Sequence, residues 1–342
     1  MDIDDAGAMA ESEGSNVRRR QRASGVMRVV LSFDIEIWCG GWEQLDQKFP
    51  AAFERYIYGR SEAGAYALPK TLEILQRHQL QAVFFIEPLF AARFGLKYLE
   101  EIVGLIKAAG QDVQLHLHPE WSDEITPLPF PGAAVKRQHL FQYDLEEQTR
   151  LIGLGKQLLQ QAGGGQAQVF RAGSYAANAN TYKALAANGI YLDSSLNNCF
   201  ANSGQDIPRD NTSNATLDIG EVHCVPVSVY QDGLGCRRPA QISAAGNDEL
   251  KEAMESALAQ GQTDFVVVSH NFEMLKAKTS LPDRLVVNRF ENLCAFLAAQ
   301  AHRFDVGPFR SARSPSLVQA AFPQVSRLAT TRRYIEQLRR RF

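Results

Sequence analysis

The chain has 342 residues, 45 % apolar and 22 % charged, with a formal net charge of -2. That is enough length to bury a core, in an ordinary globular balance that gives no electrostatic case for a nucleic-acid partner. No apolar run approaches the ~20 residues that cross a bilayer, and the five cysteines, odd in number and without a Cys-x-x-Cys pair, suggest neither a disulfide framework nor a cysteine zinc site.

Residues 1–25 are polar and mixed in charge, and the run 26–31 that follows is too short for a secretory segment and reads as a first strand. A disordered N-terminal segment over 1–25 of a cytoplasmic protein is expected. The first strand, apolar over 29–33, ends in Asp34-Ile35-Glu36. An irregular aromatic segment over 38–66 comes next, then a helix with Leu72, Ile74 and Leu75 on its apolar face, a strand over 82–86, and a helix over 98–109 stopped by Gly110. The strand at 113–118 ends in His116-Leu117-His118-Pro119-Glu120, ahead of a proline-rich loop over 121–142. A helix over 145–161, a strand over 167–170, a helix over 181–187 and a strand over 190–192 lead to a long polar excursion at 197–221. A helix over 248–260, a strand over 265–270 ending in Ser269-His270, a helix over 284–299 and a strand over 303–306 close the series. This alternation predicts an α/β fold, a distorted parallel (β/α) barrel of about seven units in a single domain over 26–310, followed by a basic helical tail over 311–342.

Near-continuous apolar strands suit a parallel sheet packed on both sides, and polar groups at their C-terminal ends share one rim, where catalytic residues of such folds gather. On a strand, positions i and i+2 face the same side, so His116 and His118 can converge on one ion. With Glu36 they make a carboxylate and two imidazoles, the three protein ligands that a Zn²⁺ or other divalent ion needs. Arg171, at the end of its strand, needs a carboxylate if buried, and Asp34 is the candidate. Trp38, Trp42 and Tyr56, in the first loop, read either as stacking platforms for sugar rings or as local hydrophobic plugs.

These residues resemble the motifs of the polysaccharide deacetylases of carbohydrate esterase family four. Ser32-Phe33-Asp34-Ile35-Glu36 resembles the family's first motif, and the resemblance implies Asp34 as catalytic base and Glu36 as metal ligand. The second motif, two histidines four residues apart, is met only by its first member: aligned on Gly110-Gln111-Asp112-Val113, it places His116 on the first histidine and Glu120 on the second, leaving either His118 or Glu120 as the third ligand. Arg171-Ala172-Gly173-Ser174-Tyr175 resembles the third motif, with Arg171 orienting the base and Tyr175 a candidate substrate contact; Tyr191 to Ser195 stands where the chain approaches the fourth motif. Val268-Ser269-His270 resembles the last, implying His270 as general acid. Over about residues 26 to 306 the resemblance implies one divalent ion, foremost Zn²⁺ with other divalent transition metals open, and removal of an acyl group, foremost acetyl, from a sugar of a surface polysaccharide or lipopolysaccharide precursor. Two further readings stay open: a C–N hydrolase of a small linear or cyclic amide, and a non-catalytic carbohydrate-binding relative. The tail carries six arginines (327, 332, 333, 339, 340, 341) against Glu336, with Leu328, Ile335, Leu338 and Phe342 at helical spacing. It reads either as docking on its own barrel or as a peripheral contact with anionic lipid.

Overall fold

The computed structural model describes residues 25–200, 207, 212–310 and 321–341, so residues 1–24 of the segment over 1–25 expected to be disordered lie outside the described residues. The order of elements is β1 (Met27–Ile35), α1 (Leu45–Phe53), a hairpin of β2 (Arg60–Ser61) and β3 (Gly64–Ala65), α2 (Leu68–Arg77), β4 (Val83–Ile86), α3 (Phe90–Phe94), α4 (Leu96–Ala108), β5 (Asp112–Leu117), α5 (Leu145–Gln161), β6 (Val169–Ala172), α6 (Ala179–Ala187) and β7 (Leu192–Asp193). Then come β8 (Leu217–Ile219), β9 (Val222–Cys224), β10 (Val229–Gln231), β11 (Arg237–Pro239), α7 (Asn247–Ala259), β12 (Asp264–His270), α8 (Arg284–Ala299), β13 (Phe304–Val306) and α9 (Arg327–Arg341).

The main sheet runs β12-β1-β4-β5-β6-β7-β9-β8, parallel except for the last pair, with β13 pairing the first residues of β1. It curls into a half-barrel. Irregular chain spans the gap between its edges: the Val227 N–H donates to the Leu196 carbonyl (2.8 Å), the Ser228 N–H to the Val266 carbonyl (3.1 Å) and the Val268 N–H to the Ala240 carbonyl (2.9 Å). The pleat sorts each strand into two faces. Val30, Val83, Phe85, Val169, Val266 and Val268 form a small core inside the barrel, while Val29, Leu31, Phe33, Leu115 and Leu117 belong to the larger core between sheet and helices. Phe33 stacks on Phe84 (centroids 5.2 Å) and meets Phe290 edge-on (5.4 Å), tying β1 to β4 and α8. The inward parity that begins with Val30 continues through Ser32, Asp34 and Glu36, which is why the acids point into the barrel.

The expected single α/β barrel is observed, with local differences. The segment over 38–66, expected to be irregular, contains α1, whose Leu45, Phe49 and Phe53 repeat at i, i+4, i+8 and pack against Phe90, Phe94 and Tyr98; this aromatic cluster outweighs the internal Pro50. The polar excursion over 197–221 ends in β8, which pairs antiparallel with β9. All five cysteines are free thiols.

The tail is docked on the barrel. Arg333, 1 % exposed at its side chain, pairs with Glu249 (2.8 Å) and Asp232 (3.0 Å), both equally hidden, and Thr330 donates to Glu249 (2.9 Å). Arg289 of α8 pairs with Glu336 (2.7 Å), and Arg340 with Asp283. Gly233 makes the approach possible, since a Cβ there would lie 2.4 Å from the Arg327 Cα. Removing one partner of a buried ion pair costs about 3–5 kcal/mol, so α9 is part of the barrel's stability. Arg332, Arg333 and Arg340 all have acidic partners, which takes three heads from the charge that pointed to lipid. No described helix is long and apolar enough to cross a membrane.

Candidate metal centre and active site

Glu36 stands one residue past β1, His116 within β5 and His118 one residue past it. All three are buried, and each offers a donor atom within 4.8 Å of the others. Glu36 Oε1 lies 3.0 Å from His116 Nε2 and 2.9 Å from His118 Nε2. The opposite ring nitrogens are engaged: His116 Nδ1 with the Arg171 carbonyl (2.8 Å) and His118 Nδ1 with Glu120 Oε2 (3.2 Å). A carbonyl can only accept, so Nδ1 of His116 carries a proton, and Nε2, aimed at the shared point, is the nitrogen left for a metal, which is how outer contacts prepare imidazole for ligation. The donor set therefore fits a divalent ion of the zinc type, with one oxygen and two nitrogens. The two imidazoles, each within reach of its carboxylate, hold Glu36 well below the usual carboxylate range against the opposing effect of burial. The Glu36 and Glu120 carboxylates raise His118 well above the ordinary imidazole value, again against burial.

Glu120, the alternative third ligand, sits behind His118 on the nitrogen away from Glu36, and its backbone carbonyl accepts from Lys136 Nζ (2.8 Å). Trp38 is at the centre but in an unexpected role: its indole N–H donates to Glu36 Oε2 (2.7 Å) and its ring meets His118 edge-on at 4.9 Å. Trp42 packs against Trp121 (4.9 Å) beneath Lys136, as a hydrophobic plug does, and no described contact joins it to the centre.

Asp34, Glu36 and His270 form a second group whose donor atoms lie within 4.8 Å of one another, so the expected base and acid both stand beside the ligand set. Asp34 Oδ1 receives Arg171 Nη1 at 2.7 Å. Arg171 is fully buried, and its remaining groups donate to Ser32 Oγ (3.0 Å) and to the Ser194 Oγ and carbonyl (both 3.2 Å), with Phe85 against its face. Tyr175 is close enough to Asp34 for that charge, after burial, to raise its phenol. Ser174 and Tyr175 both adopt the left-handed region (φ 55 and 56), a strained turn of the kind found where function fixes a side chain. The preceding Gly173 admits His118: a Cβ there would stand 2.6 Å from the imidazole ring.

His270 Nδ1 is held by Glu273 Oε1 at 2.8 Å, and Glu273 also accepts from Ser269 (2.8 Å) and Gln241. Burial lowers the imidazole's proton affinity, but Glu273, aided by Glu36 and Asp34, overrides it and lifts His270 to about 9.

Four contributors were missed in sequence. Glu273 follows His270 at i+3 across a turn. Asn271 receives the Glu36 N–H (3.2 Å) and donates to the Glu36 carbonyl (3.2 Å), pinning that residue's backbone. Glu87, directly after β4, has an orphaned buried oxygen and is pushed up by burial to about 8. Asp193 ends β7, and burial raises it to about 6 against the bonds it accepts from Ser195. The signal for Glu87 and Asp193 was their place at strand ends on the same rim.

No protein-family model matches the chain, and no curated protein matches it in sequence. Among solved structures it matches a protein from Mycobacterium smegmatis assigned to the polysaccharide deacetylases, with 16 % identity over 85 % of this chain and 95 % of that one and a TM-score of 0.53. It also aligns with a family 4 carbohydrate esterase from Streptomyces lividans (16 % identity, 88 % and 100 % covered, TM-score 0.43). A third match is a carbohydrate esterase family 4 pseudoenzyme from Bacillus anthracis (13 % identity, 83 % and 64 % covered, TM-score 0.41). The fold of the chain is that of the polysaccharide deacetylases.

Proposed function

We propose that the protein is a metal-dependent hydrolase that removes an acyl group, foremost acetyl, from the nitrogen or oxygen of a sugar in a surface polysaccharide or lipopolysaccharide precursor. The observation that carries this reading is the arrangement on one rim: an arginine-held carboxylate and a glutamate-held imidazole both stand beside a three-donor ligand set. The reading takes a carbohydrate as the substrate and the cytoplasm as the setting.

Glu36, His116 and His118 would hold the ion, which when bound supplies a Lewis acid for the acyl carbonyl and a lowered water pKa. Glu120 and the Arg171 carbonyl fix the two imidazoles, and Trp38 fixes the carboxylate. Asp34, held and aimed by Arg171 Nη1, takes the proton from the attacking water. Tyr175 orients the acylated group near Asp34. His270, protonated at neutral pH because Glu273 lifts it to about 9, gives its proton to the departing amine or alkoxide. An amide nitrogen is a poor leaving group without that proton, so the glutamate-held imidazole suits C–N cleavage.

Acetate release from a panel of N- and O-acetylated sugars, run with a panel of small linear and cyclic amides, tests the reaction. Release from no member by metal-loaded protein would favour the non-catalytic reading. The small-amide reading stands if turnover is confined to the second panel; the open cleft of about 780 Å³ walled by Phe272 and Glu273, which contact His270, favours larger substrates.

The acid assignment fixes a pH dependence. His270 is raised in the folded protein, so its acid form is present below about 9 and is lost as pH rises through that value. The rate should fall on that alkaline side, and Glu273→Gln should move the fall to lower pH by removing the charge that raises the imidazole. A pH–rate profile of the variant with an unmoved alkaline limb would remove Glu273 from this role.

A peripheral contact with anionic lipid remains part of the proposal in narrowed form. The face of α9 turned from the barrel presents Leu328 (60 % exposed), Ile335 (45 %) and Leu338 (56 %), with Arg327 and Arg339 at its margins. Leu328→Asp with Leu338→Asp should abolish salt-sensitive sedimentation with phosphatidylserine vesicles while leaving the melting temperature in place; wild-type protein that ignores such vesicles at low salt removes the contact.

A further inference from the structure

A cleft of about 780 Å³, walled in part by Phe272 and Glu273, both in contact with His270, is lined by four cations, Arg55, Lys276, Lys278 and Arg340. They come from three separate parts of the chain: the π-helical turn after α1, the loop between β12 and α8, and the docked helix α9. Its one carboxylate is Glu273, already committed to His270, Ser269 and Gln241. Arg340 is matched by Asp283. No described carboxylate pairs with Arg55, Lys276 or Lys278, and the Arg55 Nε is a buried nitrogen without a hydrogen-bond partner. Lys278 also holds a left-handed backbone conformation (φ 60), unfavourable for a residue with a Cβ by roughly 1 kcal/mol. Like charges gathered in a concave site repel one another and focus a positive potential, an arrangement that an anionic ligand relieves.

We propose that this cleft binds an anionic group, a phosphate ester or a carboxylate, carried by the sugar substrate. The position says which part of the substrate bears it. Phe272 and Glu273 line the cleft and also hold the acid, Phe272 by stacking on His270 (centroids 5.3 Å) and Glu273 through Nδ1 (2.8 Å). An anion seated there is therefore on the leaving-group side, on the sugar that keeps the amine or hydroxyl and not on the acyl group. Tyr56, edge-on to Phe272 (5.2 Å), completes an aromatic wall for that sugar. This rests on the deacylase reading for the identity of the leaving group and narrows its substrate class from neutral glycans to charged ones.

The test is calorimetric binding of glucose 1-phosphate, glucuronate and methyl glucoside to the metal-loaded protein and to the Arg55→Ala/Lys276→Ala/Lys278→Ala variant. Wild type should bind at least one of the two anions roughly tenfold or more tightly than the variant does, as charge-assisted contacts require, with the advantage shrinking in salt and no such advantage for methyl glucoside. A preference for glucose 1-phosphate assigns a phosphate and a preference for glucuronate a carboxylate. Because Arg55 is partly buried, Lys276→Ala/Lys278→Ala, which alters exposed side chains alone, is measured beside the triple variant and should show a smaller loss of the same sign. Equal affinity of wild type and both variants for both anions overturns the proposal. Binding requires no turnover, so failure of the deacylase reading would leave a positive result standing, and failure of anion binding would leave acetate release from neutral sugars untouched.

Discussion

His116→Ala is expected to take the protein from about one equivalent of divalent metal per chain to a small residue of that, with loss of all hydrolysis. His116 brings Nε2 to within 3.0 Å of Glu36 Oε1 while its other nitrogen is tied to the Arg171 carbonyl, so nothing else on β5 can supply that lone pair. Two remaining donors from Glu36 and His118 fall short of the three that such an ion requires. His118→Ala should behave in the same way. Glu120→Gln should instead weaken binding by about 10- to 100-fold, the effect of losing an outer contact that orients a ligand, because Glu120 reaches only the far side of His118. Metal analysis by inductively coupled plasma mass spectrometry after gel filtration, with circular dichroism to verify folding, separates these outcomes. Stoichiometric metal retained by His116→Ala would show the site to be misassigned, and loss in Glu120→Gln but not in His118→Ala would make Glu120 the third ligand.

The strands and their polar ends were readable in the sequence because both rest on one local rule. Apolar runs mark buried strands, and a period of two then puts Asp34 with Glu36, and His116 with His118, on the same face. The same parity reaches Trp38, which continues the series from Asp34 and Glu36, yet an aromatic in a loop suggested stacking and concealed an indole N–H aimed at a carboxylate. Glu273 was equally close at hand, three residues after His270. What sequence could not yield is the pairing across 235 residues between Glu36 and Asn271, or the choice between His118 and Glu120, which depends on where the chain turns after β5. The tail left docking and lipid contact both open in sequence. Its arginines look like a solvated or lipid-facing charge run, but Arg333 is among the most buried side chains of the molecule, because Asp232 and Glu249 lie far from it in sequence and close in space.

Asp34→Asn should keep both fold and metal and lose about 10² to 10⁴ in rate, the usual contribution of a positioned general base. The amide is nearly the same size and can still accept from Arg171 Nη1, so the network through Ser32 and Ser194 survives the change; what goes is the ability to take up a proton. His270→Ala should lose a comparable factor through the opposite half of the reaction, and the two defects should separate with the leaving group. An activated aryl acetate needs little help to depart, so it should largely bypass the loss of His270 while remaining slow with Asp34→Asn. Arg171→Ala completes the set: it leaves Asp34, only 5 % exposed at its side chain, without its paired guanidinium, which should both slow the reaction and lower stability by several kcal/mol, about 3–5 being usual for one partner of a buried pair. Rates on an acetylated sugar and on an aryl acetate, with thermal melts and metal content for each variant, decide the assignment. Either Asp34→Asn or His270→Ala within tenfold of wild type on the acetylated sugar would remove that residue from proton transfer. Equal recovery of both variants on the aryl ester would mean that the roles of base and acid cannot be divided between β1 and β12 in this way.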